Sequence, residues 1–225
     1  MKLYFPQITP LWGDWVEVVN VGDKTAHIEA IGRNRQGEVV WRGNQTLSPF
    51  KSWIISLDIE EDVSLGIDSS QLIVGARYIY SETGIAVLSG ASVQGGTVGK
   101  RFFLLSELLP GTKDWFRFLN VGELDAHVFL TVWSNEGQII TQRDITLPPF
   151  HWWDVGERER NVPSNTNFEI LSDQPLVVER HIYYRVSGRE MMYGYICQYS
   201  RFRDDMRRSF TNPHKLGSLS EGETP

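Results

Sequence analysis

The chain has 225 residues, 41% of them hydrophobic and 22% charged, which is typical of a globular protein. Its formal net charge of -6 argues against general binding to nucleic acid or anionic membranes, because both need clustered Lys and Arg. The single cysteine, Cys197, cannot form an internal disulfide, and no segment approaches the roughly 20 apolar residues of a membrane span. We therefore expect no nucleic-acid partner and no membrane insertion.

The start of the chain bears on its location. Residues 1–9 contain one Lys and no long apolar core, so they do not match a secretory signal peptide. This pattern favours the cytoplasm, or an exported protein if a leader has been removed.

One short pattern occurs twice, about a hundred residues apart. Residues 14–22 and residues 114–122 both contain Asp-Trp, four strand-forming residues and then Asn-Val-Gly. Asn and Gly readily adopt the backbone conformations of a turn, so each copy predicts a strand that ends in a tight turn. Further matches follow in the same order: Ala26 and His27 with Ala126 and His127, Thr46 and Leu47 with Thr146 and Leu147, Pro49 and Phe50 with Pro149 and Phe150, Trp53 with Trp153, and Arg77 with Arg180.

Both copies consist of short alternating segments that are separated by turn residues about every 8 to 12 positions. Neither copy has a sustained helical period. This predicts an all-β fold of two tandem antiparallel β-sandwich domains, residues 1–95 and residues 96–200. The polar stretches 58–70 and 156–167 look irregular, and the first of them includes an acidic run that we expect to be solvated. Residues 201–225 are first basic and then flexible in composition, which predicts an irregular C-terminal tail.

A series of turn and core motifs runs through the second copy: Leu119-Asn120-Val121-Gly122, Asp125-Ala126-His127-Val128, Leu147-Pro148, Val162-Pro163, Asn167-Phe168 and Ser172-Asp173-Gln174-Pro175-Leu176-Val177-Val178. These motifs resemble the sensory rhodopsin transducer family, and the first copy matches it more weakly. The resemblance implies a small cytoplasmic β-sandwich domain that forms homo-oligomers, contacts other proteins and has no catalytic activity. The run from Pro175 to Tyr183 is also similar to β-sandwich repeats of unknown function in bacterial exported proteins.

Polar residues at equivalent positions in the two copies are candidates for structural roles. The alternation pattern places Arg77 among apolar neighbours, where a buried guanidinium must be paired, so we expect an internal clamp in preference to an anion-binding site. Neither His27 nor His127 has a His or Cys at ligand spacing, which favours hydrogen-bonded turn histidines and predicts no metal or cofactor. The full set of structural candidates is Asn20, Gly22, His27, Arg77, Asn120, Gly122, His127 and Arg180.

Aromatic residues give the strongest lead to a binding site. Strand alternation cannot place every large ring inward, and an outward aromatic stripe is typical of a subunit interface, a protein-binding surface or a sugar-stacking platform. We favour a subunit interface with Trp133 and Trp152 as anchors. Glu17 and Arg117 occupy equivalent outward positions with opposite charge, so they would pair if the copies packed about a pseudo-twofold axis. The binding candidates are Trp41, Phe129, Trp133, Trp152 and Trp153.

The sequence predicts a non-enzymatic interaction or scaffold protein that is oligomeric and also contacts an unidentified protein. No nucleophile elbow, phosphate-binding glycine loop or Cys-x-x-Cys motif is present. The alternative is a carbohydrate-binding module whose tryptophans stack on sugar rings. Sugar binding predicts tryptophans in an open groove, whereas assembly predicts tryptophans buried between chains.

Overall fold

A computed structural model describes residues 1–10, 13–81, 84–90, 97–104, 113–156, 166–186 and 189–197. All regular elements in these ranges are β-strands apart from one residue of 3-10 turn, which confirms the predicted all-β fold. None of the described residues form a helix that is long and apolar enough to cross a membrane.

The first half of the chain contains eight strands that form two four-stranded antiparallel sheets. Their orders are β1-β6-β3-β4 and β5-β2-β7-β8. Alternate residues of each strand point into the space between the sheets, as the burial pattern of β3 shows. The strands are β1 (Lys2–Ile8), β2 (Trp15–Asn20), β3 (Ala26–Arg33), β4 (Val39–Leu47), β5 (Ser52–Ser56), β6 (Val63–Ser69), β7 (Ile73–Ser81) and β8 (Gly84–Ser89).

The second half repeats this strand order with one difference. A single long strand, β14, pairs with β9 and β11 through its first part and with β10 and β15 through its last part. It therefore takes the places of both β6 and β7 and joins the second half into one seven-stranded sheet. The strands are β9 (Val98–Leu104), β10 (Lys113–Asn120), β11 (Ala126–Ser134), β12 (Ile139–Leu147), β13 (Trp152–Gly156), β14 (Thr166–Val186) and β15 (Arg189–Ile196).

Two expectations about irregular segments need correction. Residues 58–70 contain strand β6, whose small polar residues Ser64 and Ser69 are buried between neighbouring strands, and this polarity concealed the strand pattern. The Gly- and Ser-rich composition of residues 90–100 also indicates a linker between the two copies, but strand β9 begins within this stretch, at Val98. The tail at residues 201–225 lies outside the described residues, and the domain boundaries at 95 and 200 stay predictions.

Each half has a hydrophobic core of its own. Val16 and Val18 lie in the first core, and their counterparts Phe116 and Phe118 lie in the second. All four side chains are at most 1% exposed. The aromatic pair fills more volume, so the second core is bulkier at this level, as the alternation pattern predicts.

The repeated asparagine holds the same turn in both halves. Asn20 is fully buried, and its side-chain amide donates to the carbonyl oxygens of Lys24 (2.8 Å) and Leu47 (2.9 Å). Its side-chain oxygen accepts a hydrogen bond from the Gly22 N–H at 3.0 Å. Asn120 makes the equivalent bonds to Leu124, Leu147 and Gly122, each at 2.8 Å. Asn20 therefore connects the turn after β2 to the end of β4, and Asn120 connects the turn after β10 to the end of β12.

The same asparagines also fix the turn that follows the return strand. Phe50 and Phe150 have positive φ angles of 61° and 62°, a region that side chains other than Gly seldom adopt. Their backbone N–H groups donate to the carbonyl oxygens of Asn20 (2.7 Å) and Asn120 (2.9 Å). These bonds stabilise the strained turn and direct each phenylalanine ring out from the end of the sandwich.

We expect Asn20→Ala to lower the free energy of unfolding by about 2 to 3 kcal/mol, because it removes the buried amide that donates to the carbonyl oxygens of Lys24 and Leu47. Equilibrium urea unfolding, followed by tryptophan fluorescence, measures the change. Asn44→Ala is the matched control, since Asn44 is exposed on β4. Equal unfolding midpoints for the two variants would contradict the role of Asn20.

Candidate functional site

The two halves pack against each other through different faces. Tyr4 on β1 of the first half packs against an apolar cluster that contains Leu119, Trp152 and Val177 of the second half. Trp152 is only 4% exposed, because the first half covers the outer side of β13. Apart from the approach of β8 to its equivalent β15, the contact is therefore heterologous: the first half uses the outer face of β1, β6 and β3, and the second half uses the outer face of β10, β13 and β14.

The hairpin between β3 and β4 extends this contact. Gly37 has a φ of +74°, and a Cβ atom at this position would lie 2.8 Å from the Pro149 carbonyl oxygen. Both the conformation and the close approach therefore require glycine. The guanidinium carbon of Arg33 lies 4.2 Å from the centroid of the Phe150 ring, in a cation–π contact. The hairpin of the first half thus docks on the Pro-Phe turn of the second.

A buried ion pair joins the two halves. Arg77 on β7 is 1% exposed, and its Nη1 donates to Glu179 of the second half at 2.8 Å. Its Nε and Nη2 donate to Asp14 at 3.1 and 2.5 Å. The buried guanidinium of Arg77 is thus paired, here with two carboxylates, as an internal clamp requires. Arg180 is equally buried, and its guanidinium lies 5.3 Å from the Phe116 ring.

His181 completes the cluster beside Glu179. Its ring is 1% exposed, stacks on Trp115 at 4.4 Å and makes a short hydrogen bond from Nε2 to Glu179. Burial lowers the pKa of His181, although the adjacent carboxylate opposes this. Burial alone would raise the pKa of Glu179, but His181 and the Arg77 guanidinium hold it below its usual value. Burial raises the pKa of Asp14 despite its contact with Arg77.

Arg117 forms a second charged link between the halves. It donates to Asp154 at 2.6 and 2.9 Å and lies 3.4 Å from Asp62 of the first half. The expected pairing of Arg117 with Glu17 is wrong, because Glu17 instead accepts a hydrogen bond from Tyr78 at 3.5 Å. The reason is the heterologous packing of these faces, which does not bring positions 17 and 117 together. Asp62, expected to be solvated, pairs with Arg117 and Gln7.

The aromatic binding candidates separate into inward and outward residues. Trp41 packs against the first core at the edge of its sheet, and Trp153 packs against the second core beside Phe118. Trp152 lies between the halves, so it cannot anchor a partner. These three side chains are therefore not part of an exposed stripe, whereas Phe129 is 52% exposed and Trp133 is half-buried. A binding role for the last two stays a prediction.

Phe129 and Trp133 belong to a larger apolar surface on the outer side of β9, β11 and β14, which we call the aromatic face. It also includes Phe103, 48% exposed, and Leu171, 38% exposed. Leu171 lies directly opposite Phe129 in the pairing of β11 with β14. Neither Phe103 nor Leu171 was a sequence candidate, because only the strand register places them beside Phe129.

A second apolar surface lies on the first half, on the outer side of β2, β5 and β7, which we call the β2–β5–β7 face. Ile54 and Val74 are 62% and 51% exposed, and Val19 pairs in register with Val74. Trp15 and Tyr78 stack at 5.2 Å at one end of this face. Phe50, 77% exposed, extends from the neighbouring turn. This face is the counterpart of the surface that the second half buries against the first.

The histidines at equivalent positions are hydrogen-bonded, as predicted. Nδ1 of His27 lies 3.3 Å from the Thr46 hydroxyl, and His127 has the same relation to Thr146. His27 lines an open groove of about 530 Å³ with Glu29, Arg42 and Asp68 among its other lining residues. None of the residues that line this groove is a tryptophan.

The described strands form an all-β protein of sandwich type, and two apolar faces are exposed among the described residues. No family model matches the sequence, and no curated protein matches it. A protein from Thermotoga maritima, designated 1070, is similar in structure at 10% identity and a TM-score of 0.41, with 47% of this chain and 97% of that chain covered. The resemblance to sensory rhodopsin transducers stays a prediction.

Glycosidases of family 2 are more distant structural neighbours. The β-glucuronidase of Bacteroides uniformis matches at 10% identity and a TM-score of 0.16, with 89% of this chain and 26% of that chain covered. A glycosyl hydrolase family 2 member from Bacteroides cellulosilyticus matches at 10% identity and a TM-score of 0.17, with 86% and 27% covered. The chain thus spans about a quarter of these enzymes. Likenesses this distant carry no argument about function.

We expect Arg77→Met to lower the free energy of unfolding by about 3 to 5 kcal/mol, because Asp14 and Glu179 would stay buried without their counter-charge. Urea unfolding measures the loss. Arg42→Met is the control, since Arg42 pairs with Glu29 at 3.1 Å on the surface and should cost less than about 1 kcal/mol. If Arg77→Met lowered the free energy of unfolding as little as the control does, Arg77 would not act as a clamp.

We expect stability to fall between pH 7 and pH 5, partly through His181. The unfolded chain protonates this residue near its ordinary pKa of 6.5, whereas the native protein keeps it neutral to lower pH. The unfolded state therefore binds more protons in this window, and acid favours unfolding. Urea titrations at both pH values should show a smaller change for His181→Gln than for wild type. The control His27→Gln, at an exposed ring, should keep the wild-type change; an unchanged His181→Gln would refute the assignment.

Proposed function

We propose that this protein is a non-enzymatic interaction protein that binds a partner protein through the aromatic face of its second half. The observation that carries the proposal is the grouping of Phe103, Phe129, Trp133 and Leu171 on one sheet surface. Three of these side chains are between 38% and 52% exposed. Monomeric proteins seldom leave such groups of large apolar side chains in water, and contiguous patches of this kind mark sites of association.

A comparison with the first half supports the proposal. The position of Phe129 is occupied there by Glu29, which is charged and exposed. The position of Phe103 is occupied by Tyr4, which packs against the second half. At position 129 the second half thus exposes a phenylalanine where the first half exposes a glutamate. Phe103 is 48% exposed, whereas its counterpart Tyr4 is packed against the other half.

The polar groups between the aromatic rings suit recognition of a protein. Glu169 is 6% exposed, and it accepts hydrogen bonds from Arg101 at 3.1 and 2.6 Å. The Arg101 guanidinium also lies 4.7 Å from the centroid of the Phe103 ring. Aromatic and arginine side chains are enriched among the residues that contribute most of the binding energy at protein interfaces, and Arg101 is held in place here by Glu169.

The carbohydrate-binding alternative has less support from the positions of the tryptophans. Stacking on sugar needs ring faces that are open to solvent. Trp41 and Trp153 pack against the cores, and Trp152 is buried between the halves. The open groove on the first half has no tryptophan in its lining. Trp133 is the remaining tryptophan candidate for a sugar platform.

The test is capture from a lysate of the source cells on immobilised protein, with recovered proteins and glycans identified by mass spectrometry. We expect Phe129→Arg to reduce recovery of a specific partner protein at least tenfold, because it places a charge at the centre of the aromatic face. Leu124→Arg is the matched control, since Leu124 is 65% exposed in a turn away from this face.

Recovery of the same proteins by wild type and by Phe129→Arg would refute the proposal. Recovery of glycan without any protein, lost in Trp133→Ala, would favour the carbohydrate-binding alternative. Recovery of another copy of this chain counts as a protein partner.

A further inference from the structure

Apart from the approach of β8 to β15, the contact between the halves uses one face from each half, and the counterpart of each face is exposed in the part of the chain that the structure describes. The first half contributes Tyr4, Arg33 and Gly37, while the second contributes Leu119, Phe150 and Val177. Strand register gives the counterparts of these residues. They are Phe103, Trp133 and Gly137 on the second half, and Val19, Phe50 and Val74 on the first.

The free face of the second half keeps the geometry of the docking hairpin. Gly137 has a φ of +77°, nearly the same as the +74° of Gly37. A Cβ atom at Gly37 would meet the Pro149 carbonyl at 2.8 Å, whereas a Cβ atom at Gly137 would meet nothing within 4 Å. The hairpin that docks in the first half is thus also formed in the second, but no part of the described chain lies against its glycine.

The free face of the first half keeps the shape of the receiving surface. Phe50 has the same strained turn conformation as Phe150, and its ring is 77% exposed. Val74 is 51% exposed, whereas its counterpart Val177 is fully buried under the first half. The surface that the second half buries is therefore present and uncovered on the first.

We propose that the aromatic face of one chain binds the β2–β5–β7 face of a second copy, in the arrangement that joins the two halves within a chain. This inference rests on the proposed function and names the partner of the aromatic face. Trp133 takes the place of Arg33 and stacks on Phe50, and Phe103 takes the place of Tyr4 against Val19 and Val74. Aromatic pairs of this kind add to the apolar area that such a contact buries.

The contact between chains differs from the internal one in charge. Glu179 accepts the Arg77 salt bridge in the internal contact, and its counterpart on the first half is Ala76. Position 17 carries Glu where position 117 carries the arginine that pairs with Asp62. The contact between chains therefore depends on apolar burial, and assembly should persist in high salt.

The arrangement is head to tail, so each chain offers one donor face and one receiving face. Such a contact either closes into a ring or extends into a longer row. A closed ring gives one fixed mass, and an open row gives a mass that rises with concentration. In both cases the wild-type mass is at least twice the 25.8 kDa of one chain.

The test measures mass by light scattering after size-exclusion chromatography at micromolar concentration. Phe50→Arg damages the receiving face and Phe103→Arg damages the aromatic face, so each variant alone should have the mass of one chain. Val74→Arg is a second variant of the receiving face in case the turn itself fails to form. Leu124→Arg is the control and should keep the wild-type mass.

Mixing the two variants distinguishes this arrangement from other dimers. Phe50→Arg keeps an intact aromatic face and Phe103→Arg keeps an intact receiving face, so the mixture should form a complex of two chains. A symmetric contact that uses one face twice would not be restored by mixing. Restoration with circular dichroism spectra equal to that of wild type supports the inference.

A wild-type mass of one chain, or variants that keep the wild-type mass, would overturn the inference. The proposed function would still stand if Phe129→Arg loses a different captured protein. Both would fail if substitutions on the aromatic face had no effect in the capture experiment and no effect on the mass.

Discussion

The packing of the two halves depends on one buried guanidinium. The side chain of Arg77 extends from the core-facing side of β7, donates hydrogen bonds to Asp14 of its own half and also donates one to Glu179 of the other half. A guanidinium this far from water is tolerable only when its charge and its donors are matched, so the three groups must stay together. Because Glu179 lies on the outer side of β14, the bond can form only when that side of the second half is covered by the first. His181 and Trp115 then fill the space beside it.

Heterologous packing has a consequence that a twofold arrangement would not have. In a twofold arrangement the same surface of each half would be buried, so no exposed counterpart of the buried surface would remain. Here the first half is covered on the outer side of β1, β6 and β3 and exposed on the outer side of β2, β5 and β7. The second half is covered on the outer side of β10, β13 and the last part of β14 and exposed on the outer side of β9, β11 and the first part of β14. This arrangement explains why apolar side chains, such as Val74 and Phe129, are exposed on one face of each half.

Much of the fold is predictable from the sequence, because strand alternation and the repeated Asn-Val-Gly turn depend on local chemistry. The pairing of Arg77 is predictable for the same reason, since a guanidinium on an apolar face needs carboxylates whatever the partner. The identity of that partner is not predictable, because Glu179 comes from the other half. The prediction that Trp152 anchors a partner is wrong for a related reason. Strand alternation places Trp152 on the outer side of β13, and only the packing between the halves shows that this side is covered. Strand β6 was missed because its buried residues include serines, whose size suits a strand between two neighbours but whose polarity resembles a loop.

Comparing the two halves separates residues that maintain the fold from residues that serve a particular surface. Asn20 and Asn120 are identical and make the same three hydrogen bonds, because the turn they hold is common to both halves. Ala76 and Glu179 differ, and so do Arg33 and Trp133, although each pair occupies one position in the strand order. A position that differs cannot be required by the shared fold, so its chemistry reflects what that surface touches. The carboxylate of Glu179 faces Arg77 in a permanent contact inside the chain. Trp133 lies on a face that is exposed among the described residues, where an aromatic ring in place of arginine suits an apolar surface of another molecule.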